Sequence, residues 1–387
     1  MNNKLFSDTS APEPVPGGGV PLGFQGSTYY MWSHLSQQVV AMPPSAFTAM
    51  RLKATFGASW CNTNYRVVPE KGEPYFDHEA LTDDIMDACQ GVGVYRESKR
   101  RVAGTWLAED GGLICNSDVA FDEKGQTQPR VAPGRPYVLP VCRSGLDLAP
   151  EDVLAAPDEV LEFERAFDAW EWSTPDAGRF VMGWVACAVF SGALTWRPHL
   201  YVTGGAGAGK STLARAFGAL FGKGAARPAG QLTQAGLLQS LGGRAIPCIV
   251  DETEAGKANK STLAALDVAR WASSMTEDDD GVLRGTARGA AVGYRVFSPF
   301  AFLGINLPRL EHADQSRAVS LEMLSQRRTA DGSVSRLLAD ESYCARQGRK
   351  LRRLAVSRWP VFQAALSLLR TAIMHRGGTA RQADTLY

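Results

Sequence analysis

What the sequence lacks narrows its class first. It has no surplus of one charge: 41 lysines and arginines stand against 40 aspartates and glutamates, a net of +1. That gives no whole-protein basic field of the kind that collects nucleic acid, although subunits in a ring can each present a few local cations. The seven cysteines, Cys61, Cys89, Cys115, Cys142, Cys187, Cys248 and Cys344, are odd in number and none form a C-x-x-C pair. This argues against a zinc ribbon or a disulfide framework and for a reducing cytoplasm. The opening residues, MNNKLFSDTSAPEP, carry no apolar segment of a secretory signal. The most apolar stretch, residues 180–194, has no charge, but it falls short of the ~20 residues a membrane helix needs. It reads as a buried helix. No internal repeat is present. What remains is an ordinary globular balance, 45% hydrophobic and 21% charged, and 387 residues, enough for two or three domains.

Along the chain, residues 1–20 are rich in Pro, Gly, Ser and Asn and read as a disordered leader or linker. Residues 21–145 read as a small α+β domain. Strands are expected at 28–32 and 38–42, helices at 46–54 and 82–90, and a hairpin from 102–107 and 112–116 around Glu109-Asp110-Gly111. A connecting segment covers 120–157. A helical lead-in at 158–195 follows, with Leu161, Phe163, Phe167 and Trp170 at helical spacing and a second helix at 177–194. Residues 196–325 alternate strand and helix, which predicts a parallel sheet with helices on both faces. The strands are expected at 199–203, 245–250, 299–305 and 318–323, and a helix at 210–221. Residues 326–387 read as helical and basic.

The chemistry concentrates in three places. Residues 204–212 read GGAGAGKST: Gly204, Gly205, Ala206, Gly207, Ala208, Gly209, Lys210, Ser211 and Thr212. They satisfy G-x-x-x-x-G-K-[ST] between a strand and an amphipathic helix. Glycines let backbone amides wrap phosphates, Lys210 reaches the β- and γ-phosphates, and the Ser211 hydroxyl ligates Mg²⁺. The helix aims its positive end at the same anion. Next, an apolar strand ends in Asp251-Glu252. Asp251 is placed to hold Mg²⁺ and Glu252 to act as general base on water. Then an apolar strand ends in Asn306, and Arg317 follows. Asn306 is a candidate for contact with the γ-phosphate or the attacking water, against the plainer reading of a turn residue. Arg317 is a candidate arginine finger, against a surface arginine paired with Asp314. Between Asp251 and Asn306, an acidic turn at 276–281 precedes residues 281–296, a predicted hairpin carrying Arg284, Arg288, Tyr294 and Arg295. Such a hairpin can hold single-stranded DNA by arginine–phosphate contacts and aromatic stacking, or be a solvated one. Arg346, Arg349, Lys350, Arg352 and Arg353 form a second basic cluster on a predicted helix. Its plain reading is a solvated face, and its sharper one a nucleic-acid or subunit contact.

Taken in order, these elements resemble the helicase module of phage and plasmid primase-helicases, which are related to superfamily 3 helicases. The stretches that carry the resemblance are WRPHLYVTGGAGAGKSTL (196–213), LTQAGLLQSLGG with VDETEA (232–255), and WASSMTEDDDGVLRGTARG (271–289). PLGFQGSTYYMWS (21–33) and GVYRESKRRVAGTWL (93–107) are similar to the small domain that often precedes this ATPase. The resemblance covers most of the chain from about residue 20. It implies a P-loop NTPase fold of the AAA+/superfamily 3 kind and an ATP-driven, Mg²⁺-dependent ring, with hexamers among its forms, that translocates on single-stranded DNA in mobile-element replication. By matching position it gives Lys210 and Ser211 phosphate and metal, Asp251 and Glu252 metal and water, Asn306 the sensor role and Arg317 the finger. No primase domain or zinc motif precedes the set, and the last residues, ARQADTLY, read as the start of a helix. The expectation is a truncated product or the helicase part of a split system, with a separate primase as partner.

Other readings are weaker on particular residues. A GTPase would need N-K-x-D, and Asn259-Lys260-Ser261-Thr262 lacks the Asp. A kinase has no need of Glu252. A P-loop ATPase that only switches an assembly, without helicase activity, stays open as the alternative.

Overall fold

The computed structural model describes residues 17–96, 100–132, 135, 137–142, 146–168, 170–251, 257–285, 291–305, 307–326 and 340–377. The chain forms two compact units, one of residues 1–100 with 129–141, the other of 101–128 with 142–387.

The first unit is built on an antiparallel meander of β1 (Gly19–Gln25), β2 (Thr28–Ser33) and β3 (Gln38–Met42). Side chains alternate across a strand. Met31 accordingly joins one buried cluster, with Leu52, Phe56, Leu81 and Ile85, while Trp32 joins another, with Leu22, Tyr95 and Val138. The first cluster is closed by α1 (Ala49–Phe56), α2 (Ala58–Asn64) and α3 (His78–Val92), with the short strands β4 (Arg66–Val67) and β5 (Tyr75–Phe76) between α2 and α3. Asp77 caps α3, accepting from the Ala80 amide at 3.0 Å. The glycines expected to end a leader are instead packed. Gly18 takes φ +77°, its amide donates to the Phe56 carbonyl at 2.9 Å, and a Cβ there would press on the Trp60 indole at 2.8 Å.

The second unit opens with the meander β6 (Gly104–Leu107), β7 (Leu113–Asn116) and β8 (Ala120–Asp122). The expected place of this segment is the small domain. It belongs with the larger unit because the Ala245 amide donates to the Ala103 carbonyl at 2.7 Å and Trp106 packs edge-on against Phe297 at 5.0 Å. The unit continues with α4 (Pro157–Phe167), β9 (Trp170–Trp172), α5 (Ala177–Val189), β10 (His199–Gly204), α6 (Lys210–Phe221), α7 (Gln234–Leu241), β11 (Cys248–Asp251) and α8 (Lys257–Ala272). The hairpin β12 (Val282–Gly285) and β13 (Ala291–Tyr294), then β14 (Phe300–Gly304), α9 (His312–Gln315), β15 (Ala318–Gln326), α10 (Glu341–Ser357) and α11 (Trp359–His375) complete it. Among the described residues, no helix is long and apolar enough to cross a membrane.

The central sheet has the order β11-β14-β10-β15-β9. The first four strands are parallel and β9 is an antiparallel edge. Parallel strands covered on both faces are apolar along their length, as β14 is, whereas β15 alternates buried Leu321 and Met323 with exposed Ser320 and Glu322. Leu200, Val202, Ala301 and Leu303 face a core with α5, α6 and α10, while Tyr201, Phe300 and Phe302 face one with α7 and α8. The result is a mixed α/β unit with helices on both sides. Trp170, expected to continue α4, instead opens β9. The indole of Trp172 donates to the Phe167 carbonyl at 2.9 Å and closes the helix there. The apolar segment 177–194 is helical only to Val189. Beyond it, the guanidinium of Arg197 collects the carbonyls of Ser191 (3.0 Å) and Leu194, with those of Ala272 (2.7 Å) and Met275 from the other side.

Candidate anion-binding loop and its surroundings

β10 delivers the chain to Gly204, where a side chain would collide with the Met323 carbonyl of β15. The return into α6 needs left-handed steps at Gly207 (φ +76°) and Gly209 (φ +103°), which glycine takes without steric cost. Ala208 between them is buried in the main core and pins the loop down. α6 is held below by Leu213, Phe217, Leu220 and Phe221. Its first-turn amides therefore open onto the loop, a concentration of donors and positive helix-end potential suited to an anion.

Lys210 is the first residue of α6 and only 7% exposed. Its ammonium donates to the carbonyls of Gly204 at 2.8 Å and Gly205 at 2.6 Å. Burial lowers its pKa, and the Asp251 carboxylate pulls the other way. Ser211 is exposed and Thr212 half-buried at the same helix end. Asp251 is the last residue of β11, half-buried and in register with Leu303. β14 runs between β11 and β10, so Asp251 stands two strand spacings, roughly 10 Å, from the loop strand. The structure thus assembles Gly204 through Thr212 with Asp251 at one edge of the sheet. Glu252, Asn306 and Arg288 lie outside the described residues.

Arg317 is not part of this assembly. Its carbonyl accepts from the amide of His199, at the opposite end of β10 from Gly204. Five residue steps of strand, roughly 16 Å, separate the two ends. Its guanidinium bonds the Ser273 hydroxyl at 3.2 Å and the Ala313 carbonyl, over the Trp196 ring at 5.8 Å. Asp314, weighed as its ion-pair partner, is taken bidentately by Arg270 at 2.9 and 2.8 Å. At the same end as Arg317, His199 is buried and bridges three elements. Its Nδ1 accepts from the Phe300 amide at 3.1 Å, so Nε2 carries the proton donated to the Ala269 carbonyl at 2.8 Å. Burial lowers its pKa to about 4.

Of the hairpin expected at 281–296, β12 and β13 pair antiparallel, with Val282 opposite Tyr294 and Arg284 opposite Val292. Its side chains are engaged more than the sequence foretold. Arg284 donates to Gln234 Oε1 at 2.8 Å, and Gln234 Nε2 to Asp267 at 2.6 Å. Arg295 donates to the Glu277 carbonyl at 2.8 Å, and Tyr294 is half-buried against the α7–α8 core. Leu283, on the other face, is 63% exposed. The second basic cluster is not a uniform solvated face. Arg352 and Arg353 are buried, while Arg349 pairs with Asp147 at 3.1 Å and Lys350 with Glu159 at 2.6 Å.

Trp170, whose indole nitrogen lies against Gly209, is not among the site residues expected from the motifs. The W-E-W alternation of 170–172 was the available signal. His199 and Gln234 carry no sequence signal at all, because nothing local marks a residue whose partners are 33 to 101 positions away.

No family model matches the chain, and no curated protein matches it. Among solved structures it is similar to the A form apo structure of the NrS-1 C terminal region, with a TM-score of 0.40 and 12% identity over 93% of this chain and 76% of that one. It is also similar to JCV helicase, with a TM-score of 0.33 and 14% identity over 58% of this chain and 67% of that one.

Proposed function

We propose that the chain is a P-loop ATPase that works as the DNA helicase or translocase module of a mobile-element replication protein. The observation that carries the reading is a glycine loop with a buried cation, Lys210, at the head of α6, in the field of Asp251 across one intervening strand. That arrangement selects a polyphosphate over a simple monoanion, because donors line a path rather than a point.

The donor set fits Mg²⁺. The Ser211 hydroxyl and Asp251 carboxylate are hard oxygen ligands, and among the described residues no cluster of three His, Cys, Asp or Glu forms a protein cage for a metal. Mg²⁺ is ordinarily held by one or two such groups together with phosphates and water. Bound there, it would neutralise charge on the β- and γ-phosphates. Lys210 would leave the loop carbonyls for the phosphate oxygens. Glu252, next after Asp251, would accept the proton of the attacking water as its oxygen bonds the γ-phosphorus and the bond to the β,γ-bridging oxygen breaks. Asn306, next but one after β14, would orient that water.

ATPase assays with and without single-stranded DNA test the whole reading. We expect turnover in the parent that rises with DNA, loss of ATP binding in Lys210→Ala, and retained binding with roughly 10²-fold slower hydrolysis in Glu252→Gln. Parent-like turnover by Lys210→Ala would refute the loop's role. DNA-independent ATPase would instead leave a nucleotide switch.

A further inference from the structure

The nucleotide reading leaves one polar atom beside the loop unused. Trp170 is 2% exposed, and its indole nitrogen has no hydrogen-bond partner among the described residues. A buried indole N–H ordinarily finds an acceptor. Others in the same unit do: Trp172 bonds the Phe167 carbonyl (2.9 Å), Trp106 that of Val102 (2.9 Å) and Trp359 that of Gly111 (3.0 Å). Trp184 also has none, but it packs on the rings of Phe217 and Phe221 inside the core, away from any anion site.

The direction of the Trp170 N–H is informative. A Cβ placed on Gly209 would overlap the indole nitrogen, while the two flanking ring atoms, Cδ1 and Cε2, would lie farther and nearly equidistant at 3.2 and 3.3 Å. The N–H bond therefore points at Gly209, the cap of α6. Two kinds of donor meet at Gly209, the first-turn amides of α6 and this indole, with the Lys210 ammonium at the same helix end. Sheet order adds a second argument. Asp251 stands on the β14–β11 side of β10, and Trp170 on the β15–β9 side. A triphosphate whose outer phosphate is drawn toward Asp251 extends its inner phosphates the other way, toward Trp170.

We propose that Trp170 is a ligand-contacting residue of the loop, its indole N–H donating to an inner phosphate oxygen of the bound nucleotide. This rests on the nucleotide reading above. It also gives Gly209 a second reason to be glycine, since any side chain would stand between the donor and the ligand.

The test is the indole ¹H–¹⁵N spectrum of the full chain, titrated with MgATP and with MgADP, with binding registered independently by calorimetry. The chain has nine tryptophans, and the Trp170 resonance is assigned by its loss in Trp170→Phe. We expect that indole proton to move downfield with either nucleotide, as a new hydrogen bond requires. We expect Trp170→Phe to bind ATP roughly tenfold more weakly, the scale of one hydrogen bond to a charged group, with KM raised and kcat little changed. A Trp170 resonance that stays fixed while calorimetry registers ATP would overturn the proposal, as would parent-like affinity in Trp170→Phe. If Trp170→Phe loses the dispersion of its remaining indole signals, it has misfolded; the Trp170 resonance is then assigned by its through-space contact with Gly209, and the parent's titration decides. If the parent takes up no ATP, the nucleotide reading itself fails, and this inference with it.

Discussion

At the scale of single residues, His199 shows how a buried titratable group fixes the pH range of the fold. It is neutral in the native state because one nitrogen must accept from Phe300 and the other must donate to Ala269. Unfolded, it protonates at its ordinary value of 6.5; folded, only at about 4. As pH falls through that window the unfolded chain binds the proton and the folded chain does not, so stability drops; above 6.5 the contribution is complete. The expected loss between pH 7 and pH 5 is about 2 kcal/mol. Denaturation midpoints measured at the two pH values check this, with His199→Asn as the reference in which this component of the acid sensitivity disappears. An equal pH dependence in that variant would move the effect to another group. Lys210 was legible in the sequence because the loop motif is local. His199 and Trp170 were not, because their roles depend on partners brought together only by the sheet.

At the scale of elements, the best-read parts were those whose pattern is set within a few residues. The span 210–221 was expected as a helix and is α6; 199–203 was expected as a strand and is β10 with one residue more. The poorly read parts were decided by tertiary contacts. The helical spacing of Phe163, Phe167 and Trp170 predicts a continued helix, but the edge of β15 recruits Trp170–Trp172 as a strand. The basic cluster on α10 is the sharper lesson. By composition it is a cationic face, yet Gly348 sits so close to Leu220 that only a glycine fits, and this contact draws Arg352 inward. Its guanidinium donates to the carbonyl of Phe221, closing the C-terminus of α6 at 3.0 Å, and to Leu146. Burial lowers its pKa to about 10, so it remains a cation at the negative end of the loop helix. Arg352→Met should therefore lower stability by about 3 kcal/mol, because it strands two buried carbonyls. In protein that remains folded it should leave the salt dependence of DNA binding unchanged. Thermal melts and salt titrations check the two halves. A variant of parental stability but flatter salt slope would return Arg352 to the nucleic-acid face.

At the scale of the whole molecule, the sheet separates two pieces of chemistry that the nucleotide reading needs together. The loop, Lys210 and Asp251 stand at the carboxyl ends of the parallel strands, and Arg317 at the amino ends, where it is tied to the amide of His199 through its own carbonyl. A side chain of about 7 Å reach cannot cross roughly 16 Å of strand. If Arg317 acts on a phosphoryl group at all, it acts on that of another copy. A head-to-tail ring is the closed assembly that brings the two ends of neighbouring copies together, and we hold the ring and the finger as parts of the proposal. Mixing separates this from a structural role. Lys210→Ala lacks the loop cation but keeps Arg317; Arg317→Ala has the reverse defect. Each alone should be inactive. A mixture shown by light scattering to co-assemble should recover a fraction of parental ATPase, because some interfaces then join an intact loop to an intact Arg317. The arginine also rests on Ser273 and Trp196, so Arg317→Ala should be compared with Arg317→Lys, which keeps the charge and most of the packing but not the guanidinium fork. If Arg317→Lys retains parental turnover, or if co-assembled mixtures recover none, Arg317 serves the fold at the base of β15 and the finger must be sought elsewhere.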